Sequence, residues 1–188
     1  MVTVSLDSSG QALSRRGYRT WNGEAPLRET LASALALLSP WRSALPLHDP
    51  CCGTGTLLIE AAFIALNRAP GLMREFACEG WGFMPEEAMR QAWLEGKIDL
   101  SRQDLRTLQL SGGEGVFLCN PPYGERLSDR KSCEKLYREL RLLKERHPGW
   151  SLCAISSDPA FERAYGRRAD KKRRLYNGRL ECEFLIYR

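Results

Sequence analysis

Apolar residues follow two alternating patterns along this chain. Short continuous runs, typical of buried strands, are separated by longer segments in which apolar residues recur every three to four positions, as on one face of a helix. This alternation predicts a doubly wound α/β domain with a mostly parallel sheet. The predicted strands lie at 2–6, 45–49, 98–100, 116–119, 151–155, 172–176 and 180–187, and the predicted helices at 26–38, 56–66, 85–94, 132–146 and 158–165.

The last two predicted strands are joined by Asn177-Gly178. This dipeptide between two strand-like runs is the strongest short-range signal of a β-hairpin. We therefore predict a C-terminal antiparallel hairpin at the edge of the otherwise parallel sheet. The stretch 67–81 contains an Ala-Pro-Gly breaker and is predicted to be a loop.

Size and composition are those of one ordinary domain spanning 1–188, in which 1–24 form a lead-in strand and a basic loop. With 43% hydrophobic and 27% charged residues, the chain can bury a core of its own. No run approaches the ~18 apolar residues that a membrane span needs. Seven cysteines are scattered without a Cys-x-x-Cys pair, and the adjacent Cys51 and Cys52 suit neither a disulfide nor a zinc site. We expect reduced thiols in the cytoplasm, no metal and no membrane association.

Basic residues are unevenly distributed. The net charge of +5 is modest, but cations are concentrated in 167–174. Such a cluster suits the phosphate backbone of a nucleic acid, although a solvated charged strand or loop would have the same composition. Arg16 and Arg19 lie in a second basic stretch that could contact RNA phosphate or form an ordinary surface loop.

The sequence Asn120-Pro121-Pro122-Tyr123 marks the point where a predicted strand becomes a loop. In open α/β sheets, ligands bind at the carboxyl ends of strands. Two prolines remove two backbone donors and fix φ, which leaves the Asn120 amide and the Pro121 carbonyl as acceptors. Two fixed acceptors suit the hydrogens of an amino group attached to a ring or carbonyl, and Tyr123 offers a flat face for stacking. A proline-rich turn without any chemistry is the alternative.

A second candidate site begins at Asp49, where a short apolar run ends. Gly53 and Gly55 form a Gly-x-Gly turn, and Thr56 opens an apolar helix. This arrangement brings backbone close to a ligand and directs helix N–H groups at it. It lacks the third glycine of the dinucleotide fingerprint and the Gly-Lys-Ser/Thr of a phosphate-binding loop, so the turn does not favour phosphate binding.

Together the two motifs resemble the S-adenosylmethionine-dependent amino methyltransferases of the class I, Rossmann-like fold. Segments at 6–10, 16–19, 25–31, 67–72 and 177–182 are also similar to the bacterial 23S rRNA guanine-N2 methyltransferases. This resemblance runs nearly end to end. It implies a Rossmann-like α/β fold, S-adenosylmethionine as cofactor and 23S ribosomal RNA as partner. It also implies an N-terminal RNA-binding THUMP domain in a longer parent chain.

The resemblance implies a role for each motif. In catalysis, Asn120 and the Pro121 carbonyl would bind the N2 amine of a guanine while Tyr123 stacks on the base. The residues expected to bind the cofactor are Asp49, Cys51, Gly53, Gly55, Thr56, Asp104 and Asn120, with Asp104 accepting from the adenine amino group. The residues expected to contact the RNA substrate are Pro122, Tyr123, Arg126, Arg16 and Arg19.

One region departs from the family pattern. In this fold a second strand follows the first helix and ends in an acid that binds the ribose of the cofactor. Here 95–97 lead directly into 98–104, which already resembles the third strand and its terminal acid, Asp104. Loss of an interior strand would expose unpaired backbone groups on both of its neighbours. We therefore expect that a few tens of residues near 94–98 are absent from this sequence, and the ribose-binding acid is not assigned.

Two further functions stay open on the sequence. The motif Asn-Pro-Pro-Tyr also serves methyl transfer to adenine N6 in nucleic acids and to the glutamine amide of proteins, and four residues do not separate these acceptors. A noncatalytic RNA-binding fragment that has lost cofactor binding would belong to a different class. The shortened region near 94–98 is the feature that favours it.

Overall fold

The computed structural model of the protein describes residues 10–12, 14–19, 27–71, 74, 104–110, 113–123 and 130–188. Within these ranges the elements are α1 (Glu29–Leu38), β1 (Leu47–His48), α2 (Thr56–Ala65), β2 (Gly115–Cys119), α3 (Arg130–Arg146), β3 (Trp150–Ser156), α4 (Phe161–Tyr165), β4 (Lys171–Asn177) and β5 (Leu180–Tyr187). The predicted strands at 2–6 and 98–100, the predicted helix at 85–94 and the break near 94–98 lie outside the described residues.

The described strands form one five-stranded sheet in the order β1-β2-β3-β5-β4. β1, β2 and β3 are parallel, whereas β5 runs antiparallel to both β3 and β4. It follows that β4 points in the same direction as β2, and that the carboxyl ends of β1, β2, β3 and β4 share one edge of the sheet, called here the carboxyl edge. The predicted parallel core with a C-terminal antiparallel hairpin is confirmed.

Helices cover both faces of the sheet because the interior strand β2 is apolar on both sides. All five residues of β2 are buried, with Val116 in one core cluster and Phe117 in the other. The first cluster includes Leu35 of α1 and lies on what we call the α1/α2 face. The second includes Tyr137 of α3 and Phe161 of α4, and lies on the α3/α4 face.

Helix α3 shows how a strongly charged segment becomes one of these covering layers. Its buried residues recur three or four positions apart and form a single stripe of Cys133, Tyr137, Leu140 and Leu143. The helix ends before Pro148, and His147 closes its last turn. The His147 Nδ1–H donates to the Leu143 carbonyl at 3.0 Å, and Nε2 accepts from the Leu110 amide at 3.2 Å.

Prediction and structure agree on the type of every described element, with bounds that differ by three residues or fewer. The first helix was predicted from Pro26, which lies outside the described residues, but Arg28 is extended and α1 begins at Glu29. None of the helices that the structure describes is both long and apolar enough to span a membrane.

The hairpin turn is shifted by one residue from the predicted position. Asn177 pairs with Leu180, so the turn consists of Gly178 and Arg179 rather than Asn177-Gly178. Gly178 has a φ of 68°, and Arg179 has no positive φ. A positive φ at the first central residue alone is the type II′ pattern, which favours glycine at that place. Asn177 therefore remains the last residue of β4, with a side chain fixed by the pleat of the strand.

Candidate active site

The two sequence motifs meet at the carboxyl edge. Pairing of β1 with β2 places His48 beside Phe117, so β1 ends two residues before β2 at this edge. The chain then continues from the two strands into Asp49 and Asn120. The side chain of Cys51 packs against the core cluster that contains the buried Cys119. The glycine turn after β1 therefore packs directly against the end of β2.

Asp49 is a buried acid at this junction. Asp49 is 6% exposed, and its Oδ1 accepts a hydrogen bond from the Cys51 amide at 2.9 Å. Burial raises the pKa of Asp49 from 3.8 to about 7, against the opposing effect of that hydrogen bond. A nearby cation would strongly stabilise the ionised form of such a buried carboxyl group.

The turn that follows depends on glycine for its conformation rather than for space. Gly53 has a φ of 51° and Gly55 a φ of 75°, both in the left-handed region. A Cβ on Gly55 would approach no closer than 3.9 Å to Ile59, so a side chain is disfavoured by backbone strain alone. Gly55 is also the N-cap of α2 and provides no side-chain cap, which leaves the first amides of the helix available to a ligand.

Arg19 connects three segments around this turn. One of its terminal nitrogens donates to the Leu27 carbonyl at 2.8 Å and to the Thr56 hydroxyl at 3.1 Å, and its Nε lies 3.0 Å from Glu29. The Thr56 hydroxyl is in turn 3.0 Å from the hydroxyl of Thr54. Arg19 therefore supports the glycine turn in the structure, whereas the resemblance implied that it contacts RNA.

Arg16 lies beside a second buried acid, Glu60 of α2, which is 1% exposed. The Arg16 Nε is 3.5 Å from Glu60, the Tyr18 hydroxyl donates to the same carboxylate at 2.9 Å, and the Ser33 hydroxyl of α1 donates to its other oxygen. The N-terminal basic stretch thus packs against α1 and α2 through two buried acids. Nothing in the spacing of its arginines indicated these partners.

Asn120 presents an acceptor to the interior of the carboxyl edge. Its Oδ1 is enclosed, and no donor within the described part of the chain hydrogen-bonds to it. Pro121, which follows, is buried. A buried amide oxygen without a donor is uncommon in folded proteins and indicates a place for a polar partner.

The rest of the motif is anchored by two other elements. The Pro122 carbonyl accepts a hydrogen bond from the Tyr137 hydroxyl of α3 at 3.0 Å. The Tyr123 hydroxyl accepts from Asn177 Nδ2 at 3.2 Å, and the Cys182 sulfur lies 3.9 Å from it. The C-terminal hairpin is therefore part of the site. The Asn-Gly signal predicted a turn, but only the strand register shows that Asn177 reaches Tyr123.

Two further predicted residues lie apart from this group. Asp104 is exposed and receives hydrogen bonds from the side chain and the amide of Arg106, at distances of 2.5 to 3.2 Å. The Arg106 side chain is the largest cause of a pKa for Asp104 of about 2. Arg126 lies outside the described residues.

The sequence matches the RMKL-like methyltransferase domain family over residues 16–93 and again over 84–186. These two ranges cover most of the chain. The chain belongs to this family. This match confirms that the chain resembles methyltransferases, as its sequence motifs indicated, and identifies the family as RMKL-like.

Curated relatives of this RMKL-like domain are longer than the chain. YpsC of Bacillus subtilis is 37% identical over 98% of this chain and 57% of its own length. The ribosomal RNA large subunit methyltransferase K/L of Shewanella sediminis is 36% identical over 99% of this chain and 32% of its own length. The chain therefore spans little more than half of the first relative and a third of the second.

Solved structures confirm the Rossmann-like methyltransferase fold of the RMKL-like domain. The crystal structure of SMU.472 complexed with SAH superposes with a TM-score of 0.84 at 36% identity, over 96% of this chain and 57% of that chain. A predicted N6-adenine-specific DNA methylase from Listeria monocytogenes gives a TM-score of 0.84 at 36% identity, over 97% of this chain and 56% of that one.

The alignment with YpsC also reveals a difference in length. It runs over 220 residues, whereas 98% of the 188 residues of this chain is about 184. The relative therefore uses about 36 more residues over the same span. The two ranges that match the family overlap at 84–93, so the family pattern is interrupted near that stretch.

Proposed function

We propose that this domain transfers a methyl group from S-adenosylmethionine to the exocyclic N2 amine of a guanine in 23S ribosomal RNA. The observation that carries the proposal is the enclosed Oδ1 of Asn120, which no donor in the described residues reaches, next to the buried Pro121. An unsatisfied buried acceptor costs about 1–3 kcal/mol. An amine bound at this point would supply the missing donor.

The chemistry of an aromatic amine explains why two acceptors are needed. Its lone pair is delocalised into the ring, so the free amine is a weak nucleophile. Asn120 Oδ1 and the Pro121 carbonyl would each accept one amine hydrogen, which favours the pyramidal geometry of attack and stabilises the developing positive charge. Tyr123, fixed at its hydroxyl by Asn177, would stack on the base, which must be turned out of any helix.

The cofactor half of the site fits S-adenosylmethionine, which when bound supplies an electrophilic methyl group on a cationic sulfur. Asp49 is a buried carboxyl group whose ionised form needs a cation, and the ammonium group or the sulfonium would provide one. Gly53 and Gly55 allow the backbone to approach closely, while Cys51 and Thr56 line the same turn. Holding amine and methyl donor in line supplies the proximity effect, worth ~7–11 kcal/mol in favourable cases.

The choice of ribosomal RNA rests on the family. The K/L relative from Shewanella sediminis is named for the large ribosomal subunit, and its similarity covers 99% of this chain. We accordingly propose a cytoplasmic enzyme that works within a longer chain bearing an N-terminal RNA-binding domain. Adenine N6 is the second candidate acceptor, because the Listeria monocytogenes neighbour is described as an adenine methylase and superposes equally well.

The test compares the unaltered chain with Asn120→Ala. We expect methyl transfer to unmodified 23S RNA to fall by about 10²-fold or more. Calorimetric titration should show that S-adenosylmethionine still binds, because Asp49 and the glycine turn of the cofactor half are unchanged. Retained transfer by the variant would contradict the proposed role of Asn120.

A second measurement identifies the acceptor. The methylated RNA is digested and its nucleosides are analysed by mass spectrometry, where N2-methylguanosine supports the leading proposal and N6-methyladenosine supports the second. Replacing guanosine by inosine, which lacks the N2 amine, should abolish transfer.

A further inference from the structure

The basic segment of β4 divides into two faces of different character. Arg173 lies directly opposite Phe184, a residue of the α1/α2 core cluster, so Arg173 and the alternate residue Lys171 are on the α1/α2 face. Lys172 and Arg174 are on the α3/α4 face by the same alternation. All four residues are exposed. The pleat therefore separates a run of four cations into two pairs.

The pair on the α3/α4 face is neutralised by acids of the protein. Lys172 Nζ lies 2.5 Å from Glu162 and 3.7 Å from Glu183, and Arg174 Nε lies 3.1 Å from Glu181. These contacts leave little positive charge on that side of the strand. An anionic partner gains nothing from approaching it.

The pair on the α1/α2 face is free of such contacts. In the part of the chain that the structure describes, neither Lys171 nor Arg173 forms an ion pair, and the same holds for two exposed arginines beside the hairpin turn. Arg179 is the second residue of the turn, and an Arg28 nitrogen lies 3.7 Å from the position that a Cβ on Gly178 would occupy. We call Arg28, Lys171, Arg173 and Arg179 the cationic strip.

The strip leads to the candidate active site. β4 ends at Asn177, which donates to the Tyr123 hydroxyl at 3.2 Å and shares the α1/α2 face with Arg173. At about 3.3 Å per residue, Arg173 lies ~13 Å and Lys171 ~20 Å from Asn177 along the strand. Arg173 and Lys171 therefore lie on the side of β4 that Asn177 shares, and they lead away from the Tyr123 hydroxyl toward the other end of the strand. Their separation of ~7 Å along the strand suits successive phosphates of an extended nucleic acid.

We propose that the cationic strip binds the phosphate backbone of the RNA strand whose target base enters the site at Tyr123. This inference rests on the proposed function, since it assigns a surface to the same RNA substrate. Unpaired, exposed cations release condensed counterions when they meet phosphate, which is the main source of affinity for a nucleic acid backbone. Cations already paired with acids do not contribute in this way.

The experiment exploits the contrast between neighbours in β4. Binding of a short fluorescein-labelled single-stranded RNA containing one guanosine is measured by anisotropy over a range of salt concentrations, with no cofactor added. The proteins are the unaltered chain, Arg173→Gln, and Arg174→Gln as the matched control. We expect Arg173→Gln to weaken binding several-fold and to reduce the slope of log affinity against log salt by about 0.7, and Lys171→Gln/Arg173→Gln to reduce it by about 1.4. Arg174→Gln should change neither quantity.

Equal effects of Arg173→Gln and Arg174→Gln would overturn the strip, as would the absence of RNA binding by the unaltered chain. Methyl transfer, assayed separately on unmodified 23S RNA, distinguishes failure of the strip from failure of the proposed function. If RNA binding depends on Arg173 and Lys171 as expected but no methyl transfer occurs, the result would support the cationic strip and contradict the proposed function. Methyl transfer with equal KM values for the two variants would uphold the function and contradict the surface.

Discussion

At the scale of single residues, the carboxyl edge contains two buried polar groups that need different partners. Asn120 Oδ1 is a neutral acceptor enclosed without a donor in the described residues, and Asp49 is an acid whose charge is disfavoured by burial. The first suits an uncharged amine and the second a cation. These two requirements support, independently of each other, the proposed amine and cofactor halves of the site.

Asp49 gives a pH dependence whose sign is fixed by its pKa. Because the folded-state pKa, about 7, lies above the ordinary 3.8, folding favours the protonated acid. The stabilisation is complete below pH 3.8 and is lost as the pH rises through about 7. We expect Asp49→Asn to be more stable than the unaltered protein at about pH 8, by up to about 4 kcal/mol, with the difference shrinking toward about pH 5. Thermal unfolding without cofactor at these pH values measures it.

Asp104→Asn is the matched control for this measurement. The pKa of Asp104 is lowered to about 2, so its ionisation does not change between about pH 5 and about pH 8. Its substitution should therefore shift the melting temperature equally at all these pH values. A pH-independent difference between Asp49→Asn and the unaltered protein would contradict the buried, raised-pKa state of Asp49. Calorimetry should also show that Asp49→Asn binds S-adenosylmethionine more weakly than the unaltered protein does.

At the scale of elements, the C-terminal hairpin connects the edge of the sheet to the candidate active site. Its type II′ turn fixes the register in which Asn177 faces Tyr123 and Arg173 faces the same side. A slip of one residue would move every side chain of β4 to the opposite face. The conformation of Gly178 therefore affects both stability and the position of Tyr123.

We expect Gly178→Ala to destabilise the protein by roughly 1–2 kcal/mol, because Gly178 has a φ of 68°. The corresponding fall in Tm is about 2–8 °C, and kcat for methyl transfer should fall with it as Tyr123 loses its anchor. Gly113→Ala is the control, since a Cβ there meets nothing within 4 Å and Gly113 has no positive φ. Equal melting temperatures for the two variants would show that the turn does not need a left-handed residue.

At the scale of the whole molecule, the important feature is the length difference from the relatives. Within the described residues β1 is an edge strand, paired on one side with β2. YpsC uses about 36 more residues over the matched span, and the family pattern is interrupted near 84–93. We propose that the residues absent from this chain supply the second strand of the fold and the acid that binds the ribose of the cofactor.

Restoring that segment should strengthen cofactor binding. We expect a chain carrying the corresponding YpsC residues to bind S-adenosylmethionine at least about tenfold more tightly, because a carboxylate hydrogen-bonded to the ribose contributes about 1.5–3 kcal/mol. Calorimetric titration provides the comparison. A flexible glycine–serine insert of equal length at the same point is the control, and equal affinities for both inserts would contradict the proposal.

Much of the fold could be predicted from the sequence because the signals are local. The apolar run at 116–119 and the helical spacing through 132–146 depend on neighbours a few residues apart, and both elements are present as β2 and α3. The predicted position of the hairpin turn was wrong by one residue. Its conformation is decided by the pairing of Asn177 with Leu180, which involves the register of two whole strands.

Spacing and residue type along the chain were sufficient to predict the α/β alternation and the C-terminal hairpin, and to reveal the motifs that indicated an amino methyltransferase. Which charges are available depends on the tertiary structure. It pairs Arg16 with Glu60 and Arg19 with Glu29, and it leaves Arg173 free beside a paired Arg174. These partners lie far apart in sequence or on opposite faces of one strand, so only the packed sheet and helices bring them together or separate them.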